Sequence, residues 1–342
     1  MLIVDDSAVV RQLLTRELGK DPGLTIVGAA PDPFVARDMI VELEPDVLTL
    51  DVEMPRMDGI TFLRKLMVHR PMPVIVLSSL TQEGTRSAIE ALEAGAVEVL
   101  SKPSSAYSVG EVAQVLAAKL RSAALARVQP PTTVPARNTT KRPLNQSMAA
   151  TTDKIIALGA STGGVQALTE VLTQFPVNAP GTVIVQHMPA RFTASFAQRL
   201  DSVCQPEIKE AADGDSVIPG RVLIAPGGFH TVLRRSGARY FVQVKDGPEV
   251  HHQKPAVDIL FNSVAKYAGA NAVGAILTGM GADGAEGLLA MRKAGAQTIA
   301  QDEKSSVVFG MPMEAIKCGA AEMILPLREI AGAVVRLGQS LA

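Results

Sequence analysis

Asp5, Asp6, Asp51, Ser78 and Lys102 are the residue types that phosphoryl transfer to a carboxylate requires, and each stands at or beside the end of a short apolar run. A carboxylate that accepts a phosphoryl group must lie at the C-terminal edge of a strand, beside a divalent cation that neutralises the incoming oxygens. Asp51 closes Val47-Leu48-Thr49-Leu50, and Asp5-Asp6 close Leu2-Ile3-Val4. In a parallel sheet those ends share one edge, where ligands collect. Three carboxylates there repel one another and call for Mg²⁺. Ser78 ends the fourth run and offers a hydroxyl to a phosphoryl oxygen; Lys102 ends the fifth and offers an ammonium. Pro103 follows, and a cis Lys102–Pro103 bond would aim that lysine inward. One such residue alone reads as a helix cap or loop polar group. Five gathered at four strand ends do not.

A second set suits acyl transfer. Ser161 sits in Gly159-Ala160-Ser161-Thr162-Gly163-Gly164, after a strand-like run and before a helical one. Small neighbours let a serine occupy a tight strand-to-helix turn with its hydroxyl exposed, and the helix N-terminus behind it offers N–H groups to a developing oxyanion. Such a turn can equally cradle a phosphate, so the motif alone is weak. His187 lies just past Thr182–Val185, and Asp283 lies in Thr278-Gly279-Met280-Gly281-Ala282-Asp283-Gly284. Taken singly, His187 reads as structural and Asp283 as the N-cap of the next helix. Together they supply a nucleophile (Ser161), a base (His187) and a residue that fixes the imidazole tautomer (Asp283). His251 and His252, in a loop, have no further metal ligands near them; His69 and His230 carry no readable signal.

The elements that must position these residues follow from periodicity. At 342 residues, a soft prior of roughly 150 per domain gives about two domains. Strand-like runs at Leu2–Val4, Thr25–Ala29, Val47–Leu50, Val74–Leu77 and Val97–Leu100 alternate with helical patterns such as Ala8–Leu18 and Pro33–Glu42. That alternation implies a parallel α/β sheet with right-handed crossovers over residues 1–122. Residues 123–152 are proline-rich and polar, as in a flexible linker. A larger α/β domain is expected over 153–342. Its strands are Ile155–Leu158, Thr182–Val185, Val222–Ile224, Ala275–Leu277 and Thr298–Ala300, with a hairpin within Arg221–Val244. Its helices are Val165–Gln174, Phe192–Val203, Ala256–Tyr267 and Ala285–Lys293.

Composition excludes several classes. The net charge of −1 gives no whole-chain field for nucleic acid or a membrane surface. Cys204 and Cys318 make neither a disulfide framework nor a metal spacing. No run of about 18 apolar residues and no basic-then-apolar leader occurs, so a cytoplasmic protein without membrane insertion is expected. The chain begins almost inside its first strand, so a few upstream residues are expected. A short-chain dehydrogenase would need a lysine four residues after a tyrosine; Tyr107, Tyr240 and Tyr267 are followed there by Glu111, Val244 and Asn271. A DNA-binding regulator would want a small output domain with a basic recognition helix, not 190-odd residues of α/β pattern.

On the residues above, positions 1–122 resemble the receiver domain of two-component response regulators. The resemblance implies a flavodoxin-like five-stranded parallel sheet, Asp51 as phospho-acceptor, and Mg²⁺ held directly by Asp6 and Asp51, by Asp5 through water and by the Glu53 backbone carbonyl. The aromatic switch position of such domains is not obvious here; Val99 sits near it. Positions 153–342 resemble the catalytic domain of chemotaxis protein-glutamate methylesterases, on Gly159–Gly164, Gln186–Pro189, Ile276–Gly284 and Val307–Pro312. The chain order Ser, His, Asp sets it apart from the α/β-hydrolases. The resemblance implies a three-layer α/β/α, mostly parallel catalytic domain and a Ser161–His187–Asp283 triad. It also implies a Met280 N–H in the oxyanion hole, with Thr162 beside the nucleophile. The implied substrates are chemoreceptor glutamate methyl esters and glutamines; the implied phosphodonor is a histidine kinase. A monomer that needs no cofactor for the ester chemistry is expected.

Overall fold

The computed structural model describes residues 1–79, 81–102, 109–126, 128 and 154–339. Pro103 and residues 129–152 of the expected linker lie outside them. The first half runs β1 (Leu2–Val4), α1 (Ala8–Leu18), β2 (Gly28–Ala30), α2 (Pro33–Leu43), β3 (Leu48–Asp51), α3 (Gly59–His69), β4 (Val74–Ser78), α4 (Gln82–Glu93), β5 (Glu98–Ser101) and α5 (Val109–Ala124). The sheet order is β2-β1-β3-β4-β5, all parallel, the flavodoxin-like order. The strands are near-continuous apolar runs because helices cover both faces. Local chemistry starts the first four helices. Ser7, Asp32, Asp58 and Thr81 each accept a backbone N–H of the first turn from the N-cap position.

The second half runs β6 (Ile155–Ala160), α6 (Gly164–Leu172), β7 (Thr182–Gln186), α7 (Phe192–Val203), β8 (Glu207–Glu210), β9 (Ser216–Val217), β10 (Arg221–Ile224), β11 (His230–Ser236) and β12 (Arg239–Lys245). It continues with α8 (Val257–Tyr267), β13 (Ala272–Ile276), α9 (Ala285–Lys293), β14 (Gln297–Gln301), α10 (Met311–Lys317), β15 (Met323–Leu325) and α11 (Leu327–Gln339). Seven strands form a parallel sheet in the order β15-β14-β13-β6-β7-β10-β8. The chain goes outward from β6 by way of β7 and later returns to β6's other side with β13. That reversal makes a crevice at the strand ends, where ligands bind in open α/β sheets.

The hairpin expected within Arg221–Val244 forms from β11 and β12, and the expected strand Val222–Ile224 stands apart from it. Arg221–Ile224 joins the parallel sheet, while β11 and β12 pair antiparallel beside β9. Expected strand Thr25–Ala29 shifts to Gly28–Ala30, because pairing with β1 begins at Gly28 opposite Leu2. No helix of the described residues is long and apolar enough to cross a membrane.

The two halves pack on each other at the end of α4 and the start of β5. Gln166 of α6 donates to the carbonyls of Leu92 (2.5 Å) and Ala96 (2.7 Å). Gly163 N–H donates to Val97 O at 3.0 Å. Thr162 Oγ1 donates to Glu98 Oε2 at 2.5 Å, and Lys119 pairs with the same oxygen at 3.0 Å. Arg199 and Glu93 add an ion pair at the rim. Val307 packs against the apolar cluster built on β1, β4 and α5.

Gly159 sets how closely α8 lies on β6. A Cβ there would collide with the Val257 side chain and touch Phe261. Gly159→Ala is expected to cost about 1–3 kcal/mol by overpacking, read as a lower melting temperature of the full chain. Unchanged melting would contradict this packing.

Candidate active site

The receiver-like edge gathers the expected acidic cluster. Asp5 and Asp51 are each 1% exposed and Asp6 is exposed, and one carboxylate oxygen of each lies within 4.8 Å of the others. Lys102 Nζ stands 2.6 Å from Asp51 Oδ2 and 3.6 Å from Asp5 Oδ2. Glu53 N–H donates to Asp51 Oδ1 (3.0 Å) and Ser7 N–H to Asp5 Oδ1 (2.9 Å). Burial raises the Asp5 and Asp51 carboxyls above their ordinary value, against the pull of Lys102. Burial works to lower Lys102, but the Asp51 and Asp5 carboxylates overcome it and hold the ammonium above its ordinary value. Ser78 is fully buried and its hydroxyl donates to Gly84 O at 2.8 Å, not to Asp51. Ser79, which the sequence did not single out, bonds Glu53 Oε1 at 2.7 Å.

The second edge brings Ser161, His187 and Asp283 to adjacent strand ends. Ala160 faces Gln186 in the β6–β7 register, and His187 N–H donates to Ala160 O (3.1 Å), extending that ladder. Ser161 and His187 are therefore next across it, at a strand spacing of about 4.8 Å. Ser161 N–H donates to Thr278 O at 3.0 Å, which ties the turn to the loop after β13. His187 Nε2 lies 2.7 Å from Asp283 Oδ2. Its Nδ1 is buried and meets no partner among the described residues. All three side chains are 2–4% exposed.

Asp283 does not cap the helix after it. α9 has Gly284 at its N-cap position and so no side-chain cap, and the Asp283 carboxylate instead accepts Val257 N–H (2.7 Å) and Asp258 N–H (2.9 Å) at the start of α8. Burial works to raise the Asp283 carboxyl. The His187 ring and the two α8 N–H groups outweigh it and hold the carboxyl below its ordinary value. An anion at a helix N-terminus is the arrangement the peptide dipoles favour.

Thr162 and Met280 flank the turn. Neither backbone N–H donates to a carbonyl among the described residues, whereas Thr162 O accepts from Thr278 Oγ1 at 3.0 Å. Met280 lies in the loop held by Gly310 and Met311, whose N–H groups both bond Gly279 O. His251 is more than a solvated loop residue: its Nε2 lies 3.1 Å from Oδ2 of buried Asp258. His230 holds the Pro248 carbonyl at 2.8 Å. Asp258 and Glu98 carry no expectation from the sequence, and Gln186, quoted within Gln186–Pro189, has no role assigned to it there. Gln186 carries a signal, a polar residue closing the apolar run Thr182–Val185, and so does Glu98, a charge inside the run Val97–Leu100.

Residues 156–334 match the CheB methylesterase family and residues 1–113 the response regulator receiver domain family. The chain is 58% identical over 337 residues, covering 98% of both chains, to "Protein-glutamate methylesterase/protein-glutamine glutaminase 2" of Syntrophus aciditrophicus. It is 55% identical over 362 residues to the protein of the same name in Rhodospirillum rubrum, covering 99% of this chain and 98% of that one. Among solved structures, the CheB methylesterase catalytic domain of Thermotoga maritima matches with TM-score 0.53 and 39% identity, over 54% of this chain and 98% of that one. The chain belongs to the protein-glutamate methylesterase/protein-glutamine glutaminase family. It is an enzyme of that class, a carboxylic ester hydrolase acting on protein glutamate with a receiver domain in front.

In this methylesterase the Asp283 clamp makes a pH-dependent contribution to stability. A carboxyl whose folded pKa is depressed stabilises fully above its unfolded value, about 3.9, and the contribution is lost as pH falls through the folded value. Asp283→Asn is expected to cost about 1 kcal/mol near neutral pH, the scale of an anion's interaction with a helix N-terminus. The gap should close in acid. Denaturant unfolding of both proteins from neutral pH into acid checks this; a gap independent of pH would contradict it.

Proposed function

We propose that Ser161, His187 and Asp283 act as the catalytic triad on glutamate methyl esters of chemoreceptor cytoplasmic helices. The observation that carries the reading is the buried His187–Asp283 pair at the strand end next to Ser161. Ser161 Oγ attacks the ester carbonyl while His187 takes its proton. Because Nε2 is engaged by Asp283, Nδ1 is the nitrogen that receives it. The imidazolium then protonates the leaving methanol. Water, deprotonated by the same nitrogen, releases the free carboxylate from the acyl-serine. With a glutamine substrate ammonia leaves instead. Asp283, kept ionised by the α8 N-terminus, holds the ring and stabilises its cation. Met280 N–H, beside the Thr162 turn, donates to the oxyanion.

Residues 1–122 act as the regulatory domain, 153–342 as the catalytic domain, and Asp51 is the phospho-acceptor, supplied by a chemotaxis histidine kinase. The acidic cluster fits Mg²⁺. Its donors are hard oxygens, and the Oδ2 atoms of Asp5 and Asp51 have no hydrogen-bond donor among the described residues beyond the Lys102 ion pair. Asp6 and Asp51 would hold the ion directly, Asp5 through water, with the Glu53 carbonyl; bound there, it neutralises phosphoryl oxygens. Lys102 pairs with the phosphoryl group, and Ser78 leaves Gly84 O to donate to it. Regulation is steric. The unphosphorylated receiver sits on Thr162 and Gly163, beside the nucleophile. Phosphorylation biases the receiver toward a state that packs there less well.

Two sets of variants test this reading by methanol release from methylated receptor membranes. Ser161→Ala is expected to stay folded and lose activity by orders of magnitude; near-normal release would sink the triad. Removing residues 1–150 should raise basal activity, and Asp51→Asn should keep it low and abolish the response to a small-molecule phosphodonor. A folded deletion no faster than the unphosphorylated full chain would argue for activation by a positive contact between the domains.

A further inference from the structure

We propose that Gln186 is a positioning residue of the esterase, whose side-chain amide locks the nucleophile turn to the His187 loop. The inference rests on reading Ser161 as nucleophile and His187 as base. Gln186 is the last residue of β7 and is 2% exposed. Its Nε2 donates to Ser161 O at 2.9 Å and to His187 O at 3.2 Å. One amide thus joins the main chain of two residues that must keep a fixed separation during proton transfer.

The orientation of that amide is not arbitrary. Both neighbours are carbonyl oxygens, so only the NH₂ end can face them. Oε1 consequently points away and meets no donor among the described residues. A buried amide oxygen without a partner costs stability, and β7 is otherwise the apolar run Thr182-Val183-Ile184-Val185. A leucine or methionine would fill the same place without that cost. Gly164 completes the fit, because a Cβ there would run into Oε1. The other bonds of the turn bind Ser161 elsewhere: its N–H goes to Thr278 O, and its carbonyl also accepts Gly164 N–H at 2.7 Å. The remaining main-chain link to the histidine is His187 N–H to Ala160 O. Loss of the clamp frees the Ser161 peptide to turn relative to the imidazole. A misplacement on the order of 1 Å at a reacting group costs about 10²-fold in rate.

The test uses the full chain with Mg²⁺ and a small-molecule phosphodonor on methylated receptor membranes, with Ser161→Ala measured alongside. Gln186→Met is expected to lower kcat by about 10- to 100-fold with KM within about twofold, at an unchanged folded fraction. It should also slow labelling of Ser161 by a fluorophosphonate, which needs no receptor. Gln186→Glu places a carboxylate against two carbonyls and can donate only when protonated. Its activity relative to the parent should therefore rise as pH falls, which loss of folding alone would not produce. Should Gln186→Met fail to fold, that pH profile decides. A folded Gln186→Met with parental kcat, a KM increase at unchanged kcat, or a pH-independent ratio for Gln186→Glu would overturn the role of Gln186, provided Ser161→Ala is inactive. Activity in Ser161→Ala would overturn the triad reading itself.

Discussion

The turn Ser161-Thr162-Gly163 has to satisfy two cores at once. Its N-terminal end is bonded into the catalytic sheet, through Ser161 N–H to Thr278 O and Ser161 O to Gln186 and Gly164. Its C-terminal end is bonded to the receiver, through Thr162 Oγ1 to Glu98 and Gly163 N–H to Val97 O. Gly163 has a positive φ of 77° and Val307 packs on its open side, so a larger residue would meet strain and collision together. Glu98 itself is buried, and the Lys119 ammonium meets the same carboxylate oxygen that accepts from Thr162, which offsets the cost of burying the charge.

The two edges use helix starts in opposite ways. In the receiver, α1 to α4 take their own N-cap side chains, which frees the strand-end carboxylates for a cation. In the catalytic half, α6, α7, α8, α9 and α10 begin without a side-chain cap of their own. α8 is served from another loop by Asp283, so one carboxylate both finishes a helix and holds an imidazole. Gly159 lets α8 come close enough for this, with Val257 against its bare Cα. Packing in the sheet and electrostatics at its edge are thus the same contact.

Strand ends with glycine-rich or acidic turns were legible in the sequence, because tight turns and repelling carboxylates restrict residue type. Ser161, His187, Asp283, Asp5, Asp6, Asp51 and Lys102 came from those turns, and the structure gathers them on two edges. Ala8–Leu18, Phe192–Val203 and Ala285–Lys293 match their helices because each has a clear apolar stripe and a turn before it. β8 was invisible, since Glu207-Ile208-Lys209-Glu210 is an edge strand with one buried apolar side chain. The expected strand Val222–Ile224 does join the parallel sheet, as its continuous apolar run implies. Long-range polar contacts left no local trace. Gln166 looks like a solvated helix residue until the end of α4 is laid on it, and Asp258 reads as an ordinary first-turn acid until His251 and Gly287 meet it.

The Gly163 amide reports the central contact directly, because its hydrogen bond crosses from the catalytic turn to Val97 of the receiver. Hydrogen exchange at that amide, followed in the full chain with Mg²⁺ before and after a phosphodonor is added, measures whether the receiver leaves the Ser161 turn. The account predicts faster exchange at Gly163 on phosphorylation, lost in Asp51→Asn, with the sheet interior of β6 unchanged. Exchange at Gly163 that is unchanged or slower while esterase activity rises would contradict it.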